Sequence, residues 1–216
     1  MKDAYEAFPE LICVDATFKL TELRIAVDIM LVEDSMGQSE IVGVALLAME
    51  DKEILSWFLE TFKQNNPSSE NLRVVMADKD LNERELIKVT FPGVKVLICL
   101  FHTLKAFKRE VTVAKMGVTQ AKVESLLSLF QPKAYANTEK EYQALKINFL
   151  EIAPIQVRSY FNESWDDIHE EWVLGDKLKS DNFFDSTNNR LESLNAKLKS
   201  VIHLYSYFRT PSTIRY

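Results

Sequence analysis

Residues 73–85 read RVVMADKDLNERE, an apolar run that ends in two aspartates two positions apart. The run belongs to NLRVVMA (71–77), whose length and β-branched content are those of a strand. LNERELIKVTF (81–91) follows with apolar residues at helical spacing, and VKVLICL (94–100) returns to a strand pattern. Strand, helix and strand joined by short connections make the crossover unit of a parallel sheet. Asp80 stands directly before the helix and Glu83 lies three residues later, the D-x-x-E form of a capping arrangement. Asp78 has no such evident structural task. It sits at the carboxyl end of VVMA, where open α/β sheets place their ligands. Asp78 is therefore read as the chemical residue and Asp80 as the cap.

Upstream, LICVDATFKL (11–20), RIAVDIMLVE (24–33) and SEIVGVALLA (39–48) read as three strands, the last two joined through DSMGQ as a hairpin. Ile25, Val27, Ile29 and Leu31 would share one face. In DKEILSWFLETFK (51–63), Ile54, Leu55, Phe58, Leu59 and Phe62 recur at helical spacing, and NNPSS ends the helix. The order β-β-β-α-β-α-β predicts an α/β fold with a mixed five-stranded sheet, three antiparallel strands and then parallel ones.

Beyond residue 103 the strand signals fade. Val123, Leu126, Leu127 and Phe130 form a helical stripe that Gln131-Pro132 is expected to stop, and Tyr142, Leu145 and Phe149 form another. Pro154 is placed to begin a third helix. Trp165, Ile168 and Trp172 space as a fourth within an acidic stretch, GDKLKSDNFFDS (175–186) is loop-like, and STNNRLESLNAKLKSVI (186–202) closes as a helix. The expected organisation is a core over 8–115, a helical insertion over 116–185, a last core helix over 186–203 and a tail or linker over 204–216.

With 216 residues, 47% hydrophobic and 11% aromatic, the chain suits one domain or one domain carrying an insertion. No apolar stretch approaches the roughly 20 residues a membrane span needs, so no membrane partner is expected. The start, MKDAYEAFPE, lacks the basic and apolar regions of a secretory signal. Two cysteines, Cys13 and Cys99, make no disulfide framework and fit a reducing intracellular compartment. A net charge of −6 argues against non-specific duplex binding. The charge is uneven, however. Lys105, Lys108, Arg109, Lys115 and Lys122 face only Glu110 over 102–122, while eight acids stand against Lys177 and Lys179 over 160–185. Either run can be a solvated helix face.

Asp15 lies inside an apolar strand, where a buried carboxylate needs a base, a cation, water or a neighbouring threonine. Asp28 on the next strand is similar, and pairing the two would be repulsive without a cation. Glu192 belongs to a polar row with Asn188, Asn195 and Lys199, although a capping role with Asn189 would also account for it. Carboxylates converging from different elements can hold a pair of divalent cations that activates water and stabilises the leaving oxygen in phosphodiester cleavage. Oxygen ligands suit Mg²⁺ or Mn²⁺. No organic cofactor is expected.

DATFKL, MADKDLNEREL with FPGVKVLICLFH, and STNNRLESLNAKLK together resemble the three blocks of Mutator-like element transposases. More narrowly, they resemble the RNase H-like domain of the zinc-finger SWIM-domain proteins one and three, which are related to those transposases. The resemblance implies an RNase H-like sheet with a helical insertion before the last core helix. It implies a DDE-type triad of Asp15, Asp78 and Glu192, holding Mg²⁺ or Mn²⁺, and it matches Cys99 and His102 to a secondary C-x-x-H motif. On their own, Cys99 and His102 read more simply as core residues. Lys105, Lys108 and Arg109 are candidates for phosphate contact. No cysteine follows Cys99, so the SWIM zinc finger is not in this sequence, which reads as a fragment, a shortened paralogue or a chain missing its downstream domain. Two functions follow from the resemblance. One is a domesticated nuclear module that binds DNA, or protein through the helical insertion with Trp165 and Trp172 at the contact surface. The other is an active two-metal nuclease or transposase.

Overall fold

A computed structural model describes residues 2–17, 26–47, 51–177 and 179 of the chain. The closing helix expected over 186–203, with Glu192, lies outside them. Among the described residues no helix is long and apolar enough to cross a membrane.

Five strands, β1 (Leu11–Thr17), β2 (Ala26–Glu33), β3 (Ser39–Leu47), β4 (Val74–Ala77) and β5 (Lys95–Ile98), form one sheet in the order β3-β2-β1-β4-β5. The first three pair antiparallel and the crossover strands complete a mixed sheet, an arrangement consistent with an RNase H-like fold. Helix α1 (Lys2–Ala7) precedes β1, α2 (Lys52–Asn65) joins β3 to β4, and α3 (Leu81–Thr90) joins β4 to β5. By its contacts the chain divides into two compact units, one within 1–75 and 81–94, the other within 76–80 and 95–187.

In the first unit, α2 starts where the Asp51 side chain accepts the Ile54 amide, which satisfies one of the free N–H groups of its first turn. Its buried stripe is Phe58, Leu59 and Phe62. Gly43 opposes Met30 in the β2–β3 ladder, and a Cβ there would sit 3.3 Å from both the Met30 side chain and the Phe62 ring. That close approach identifies the Met30 side of the sheet as the face α2 covers. The Tyr5 ring meets Phe62 edge-on at 5.0 Å, and Tyr5 shares a hydrogen bond with Ser69, which fastens α1 to the same layer. The alternation expected on β2 is only half the pattern. Val27, Ile29 and Leu31 are buried, but Met30 and Val32 on the other side are buried as well. A strand covered on both faces loses its polar alternation.

The second unit continues from β5 through α4 (Leu100–Glu110), α5 (Val113–Met116), α6 (Gln120–Ala134), α7 (Glu139–Ile152), α8 (Ile155–Ser164), a 3₁₀ turn at Asp166–Ile168, α9 (His169–Trp172) and α10 (Leu174–Lys177). Thr112, Thr119 and Thr138 cap α5, α6 and α7 through their side-chain oxygens. Three expectations are corrected here. Helix α6 runs through Pro132 to Ala134 and does not stop at Gln131. Pro154 is the residue before α8 and not its first. Trp165 and Trp172 do not lie at a surface, and both are fully buried. The chain breaks between them, so Trp165 closes α8 while Trp172 ends α9. The Trp172 indole N–H donates to the Trp165 carbonyl at 2.8 Å, and their rings meet edge-on at 5.7 Å. Phe107 and Phe130 stack at 3.6 Å in the same core. The flanking acids mark the solvent side of these short turns and hide an aromatic centre.

Lys133 lies inside that core with no exposed surface. Its ammonium nitrogen sits 3.5 Å from the Phe149 ring centre and 3.6 Å from that of Phe161, with no hydrogen-bond partner among the described residues. Burial pushes its pKa down to about 6, against the opposing pull of Asp166, while Lys146 adds to the depression. The ring faces favour the charged form and return part of that cost.

Two predictions follow from this core. Trp165→Ala is expected to destabilise the protein by about 3–5 kcal/mol in denaturant melts. A surface tryptophan would give a change within about 0.5 kcal/mol. The unfolded chain holds the Lys133 proton up to about pH 10, whereas the folded chain releases it near pH 6, so stability rises with pH between those values. Lys133→Met should therefore be more stable than wild type, by about 1–3 kcal/mol near neutrality. The difference between the two proteins should narrow as melts are repeated from pH 6 to pH 9.

Candidate functional site

Asp15 occupies β1 opposite Ile29, and only 6% of its surface is exposed. Asp28 is 2% exposed on β2, opposite Ala45 on one side and Ala16 on the other. Residues directly opposite in an antiparallel pair project to the same face, and neighbours along a strand alternate. Asp15 and Asp28 therefore point to opposite faces. Asp28 shares its face with Met30 and Gly43, the side that α2 covers. Asp15 shares its face with Ile29, and further out along the same face Val44 and Leu46 of β3 are exposed. The register removes any repulsive pairing of the two carboxylates.

Asp78 immediately follows β4 and is half-buried, and one of its oxygens accepts the Lys79 amide at 2.6 Å. Asp80 is exposed directly before α3, with Glu83 in the first helical turn, the positions the capping reading assigned. Within the second unit, the Lys79 ammonium lies over the Trp165 ring at 3.7 Å. The segment carrying Asp78 is thus tied by a cation–π contact to the buried aromatic centre. Glu192, the third expected member, lies outside the described residues.

Cys99 is the residue before α4 and His102 lies in its first turn, both buried. The Cys99 amide donates to the Ala77 carbonyl at 3.1 Å, and the Cys99 carbonyl accepts the Thr103 hydroxyl at 3.0 Å. These contacts give the cysteine a place in the backbone joining β5 to α4. Neither residue belongs to the metal-suited grouping found among the described residues, which is Glu139, His169 and Asp176. That grouping has no spacing signal in the sequence, because its members come from three separate helices.

Lys105, Lys108 and Arg109 are exposed on α4. At 100° per residue they fall on one side of the helix together with Phe101, which is 39% exposed. The Lys105 ammonium lies 5.3 Å from the Phe101 ring centre. Arg109 reaches Glu110 at 3.4 Å and Lys115 reaches it at 2.7 Å, and the Lys115 hydrogen bond holds the Glu110 carboxyl below its ordinary value. Phe101 was not singled out from the sequence. Its spacing of four residues to Lys105 was the available signal.

A thiol reagent distinguishes a core cysteine from a metal ligand at Cys99. Both thiols should be unreactive in the native protein and both should react in denaturant, with EDTA leaving the native rate unchanged. A rate raised by EDTA would instead identify a metal-held thiol.

Residues 1–97 match the family model described as the RNase H-like domain of zinc finger SWIM domain-containing protein 1/3. No curated protein matches the chain. The matched stretch holds β1 to β4, both joining helices, Asp15 and Asp78. The match is confined to residues 1–97 of the 216.

Proposed function

We infer that this RNase H-like domain is a transposase-derived module, domesticated from a Mutator-like element, that works in the nucleus by binding DNA and not by cutting it. The observation that carries this reading is the exposed face of α4. Three cations and an aromatic ring on one helical face combine phosphate contact with a platform on which an unpaired base can stack. Set on a chain of net charge −6, such a face favours local, salt-sensitive binding over general attraction to duplex. Protein contact through the helical segment is the other expected mode. The burial of Trp165 and Trp172 removes the two side chains that favoured it.

Three phosphate contacts release counterions with a log–log salt slope of about −2 for single strands and about −3 for duplex. Fluorescence anisotropy with labelled oligonucleotides should show a slope in that range. It should flatten by nearly one unit for each of Lys105→Ala, Lys108→Ala and Arg109→Ala, while Phe101→Ala should weaken single strands more than duplex. Binding unchanged by all four substitutions would remove α4 as the contact.

The second reading, a two-metal nuclease, is favoured by Asp15. A carboxylate withdrawn from water in the middle of a strand has a charge that a dication would offset, and carboxylate oxygens suit Mg²⁺ or Mn²⁺. Asp15, Asp78 and Glu192 are the residues that would hold the ions, which when bound would supply an activated water and neutralise charge at a phosphodiester. Under this reading Mn²⁺ raises the melting temperature of wild type, and Asp15→Asn and Asp78→Asn lose the increment. No shift in any of the three proteins would eliminate the site.

A further inference from the structure

Glu139, His169 and Asp176 bring one ligand atom each to within 4.8 Å of one another. Glu139 is the first residue of α7, placed by the Thr138 cap, whose hydroxyl oxygen accepts the Glu141 amide. Glu141 in turn accepts the Asn137 amide, so Glu139 is the carboxylate of that turn available on the His169 side. Asp176 is brought there by Gly175. The Gly175 amide donates to the Ala136 carbonyl at 2.8 Å, and a Cβ on Gly175 would fall 2.3 Å from the Asn137 carbonyl carbon. Only a residue without a side chain lets α10 lie against the backbone that leads into α7. Lys177, fully buried, donates to the Ile98 carbonyl at 2.8 Å and fixes the other end of α10.

Outside partners orient all three side chains. His169 Nδ1 faces the Asp166 carbonyl at 2.9 Å, an arrangement that places the proton on Nδ1 and turns the Nε2 lone pair toward Glu139. The imidazole also stacks on Tyr142 at 4.8 Å with only 7° between the planes, and the Tyr142 hydroxyl donates to Asp166. Glu139 Oε1 accepts Gln143 at 2.6 Å, which leaves Oε2 toward His169. Asp176 Oδ1 accepts Lys179 at 2.6 Å. A histidine bonded to a backbone carbonyl through its distal nitrogen, beside carboxylates that are themselves hydrogen-bonded, is the outer-shell pattern of metal ligands.

The spacing of His169 and Glu139 agrees with a small tetrahedral ion, and Asp176 places an oxygen within 4.8 Å of both. Metal–nitrogen and metal–oxygen bonds of about 2.0–2.2 Å put adjacent ligands about 3.3–3.5 Å apart. His169 Nε2 and Glu139 Oε2 are 3.4 Å apart. One imidazole and two carboxylates neutralise a dication, and the nitrogen ligand selects against Mg²⁺ and Ca²⁺. We propose that Glu139, His169 and Asp176 form a three-residue Zn²⁺ site in the helical unit, with a fourth position left for water. The site is independent of Asp15 and Asp78 and of the α4 face.

The test uses the full chain with Co²⁺ as a spectroscopic probe and Zn²⁺ as competitor. One equivalent of Co²⁺ should give the visible absorption of a tetrahedral nitrogen–oxygen site, and Zn²⁺ should displace it. His169→Ala and Glu139→Gln should each abolish the absorption or weaken Zn²⁺ binding by about tenfold or more, and Asp78→Asn should leave it intact. Glu139 is half-exposed at a helix start, so its substitution keeps the test valid even where His169→Ala fails to fold. Absence of both the absorption and a Zn²⁺-induced rise in melting temperature would overturn the site and leave ordinary ion pairs. Binding unaffected by Glu139→Gln would overturn it equally.

Discussion

Removing a charged group from water is costly, and the places where this chain does so organise the rest of the structure. Asp15 and Asp28 are both nearly closed to solvent, yet the β1–β2 register sends them to opposite faces of the sheet. That single geometric fact separates one carboxylate from the helix-covered side and leaves the other on the face whose β3 edge stays open. In the helical unit, Lys133 and Lys177 show two solutions to the same problem. Lys177 finds a backbone carbonyl, whereas Lys133 is enclosed by phenylalanine faces and depends on losing its proton.

Much of the α/β half was legible because its periods change sharply, from alternation in β1–β3 to helical spacing in α2 and α3. Asp80 and Glu83 marked the start of α3 by composition alone. The strand ends were less legible. LICVDATFKL is a strand at least to Thr17, and VKVLICL stops at Ile98 because Cys99 already belongs to the entry of α4. Face assignment on β2 could not be read, since both faces are apolar.

The helical half misled in an instructive way. Trp165, Ile168 and Trp172 space as one helix and the acids between them suggest a surface, but the chain breaks between the two tryptophans and buries both. Short turns alternate buried and solvated residues within three positions, so local charge said nothing about the tryptophans. Pro132 near the end of α6 is tolerated within the helix, where an interior proline would have ended it earlier. The Glu139, His169 and Asp176 grouping was invisible for a different reason. Its members are up to 37 positions apart, and Gly175, which sets their approach, carries no chemical signal of its own.

Fold and chemistry therefore point in different directions with different force. The mixed sheet is consistent with an RNase H-like fold, and residues 1–97 match a family model of that kind. The proposed hold on a polynucleotide rests on the exposed cations and Phe101 of α4. The most direct measurement of the distinction between holding and cutting is incubation of supercoiled plasmid with the full chain and Mn²⁺. The account predicts that the plasmid is bound and stays supercoiled. Nicking by wild type that disappears in Asp78→Asn and Glu192→Gln would contradict it and establish the enzyme.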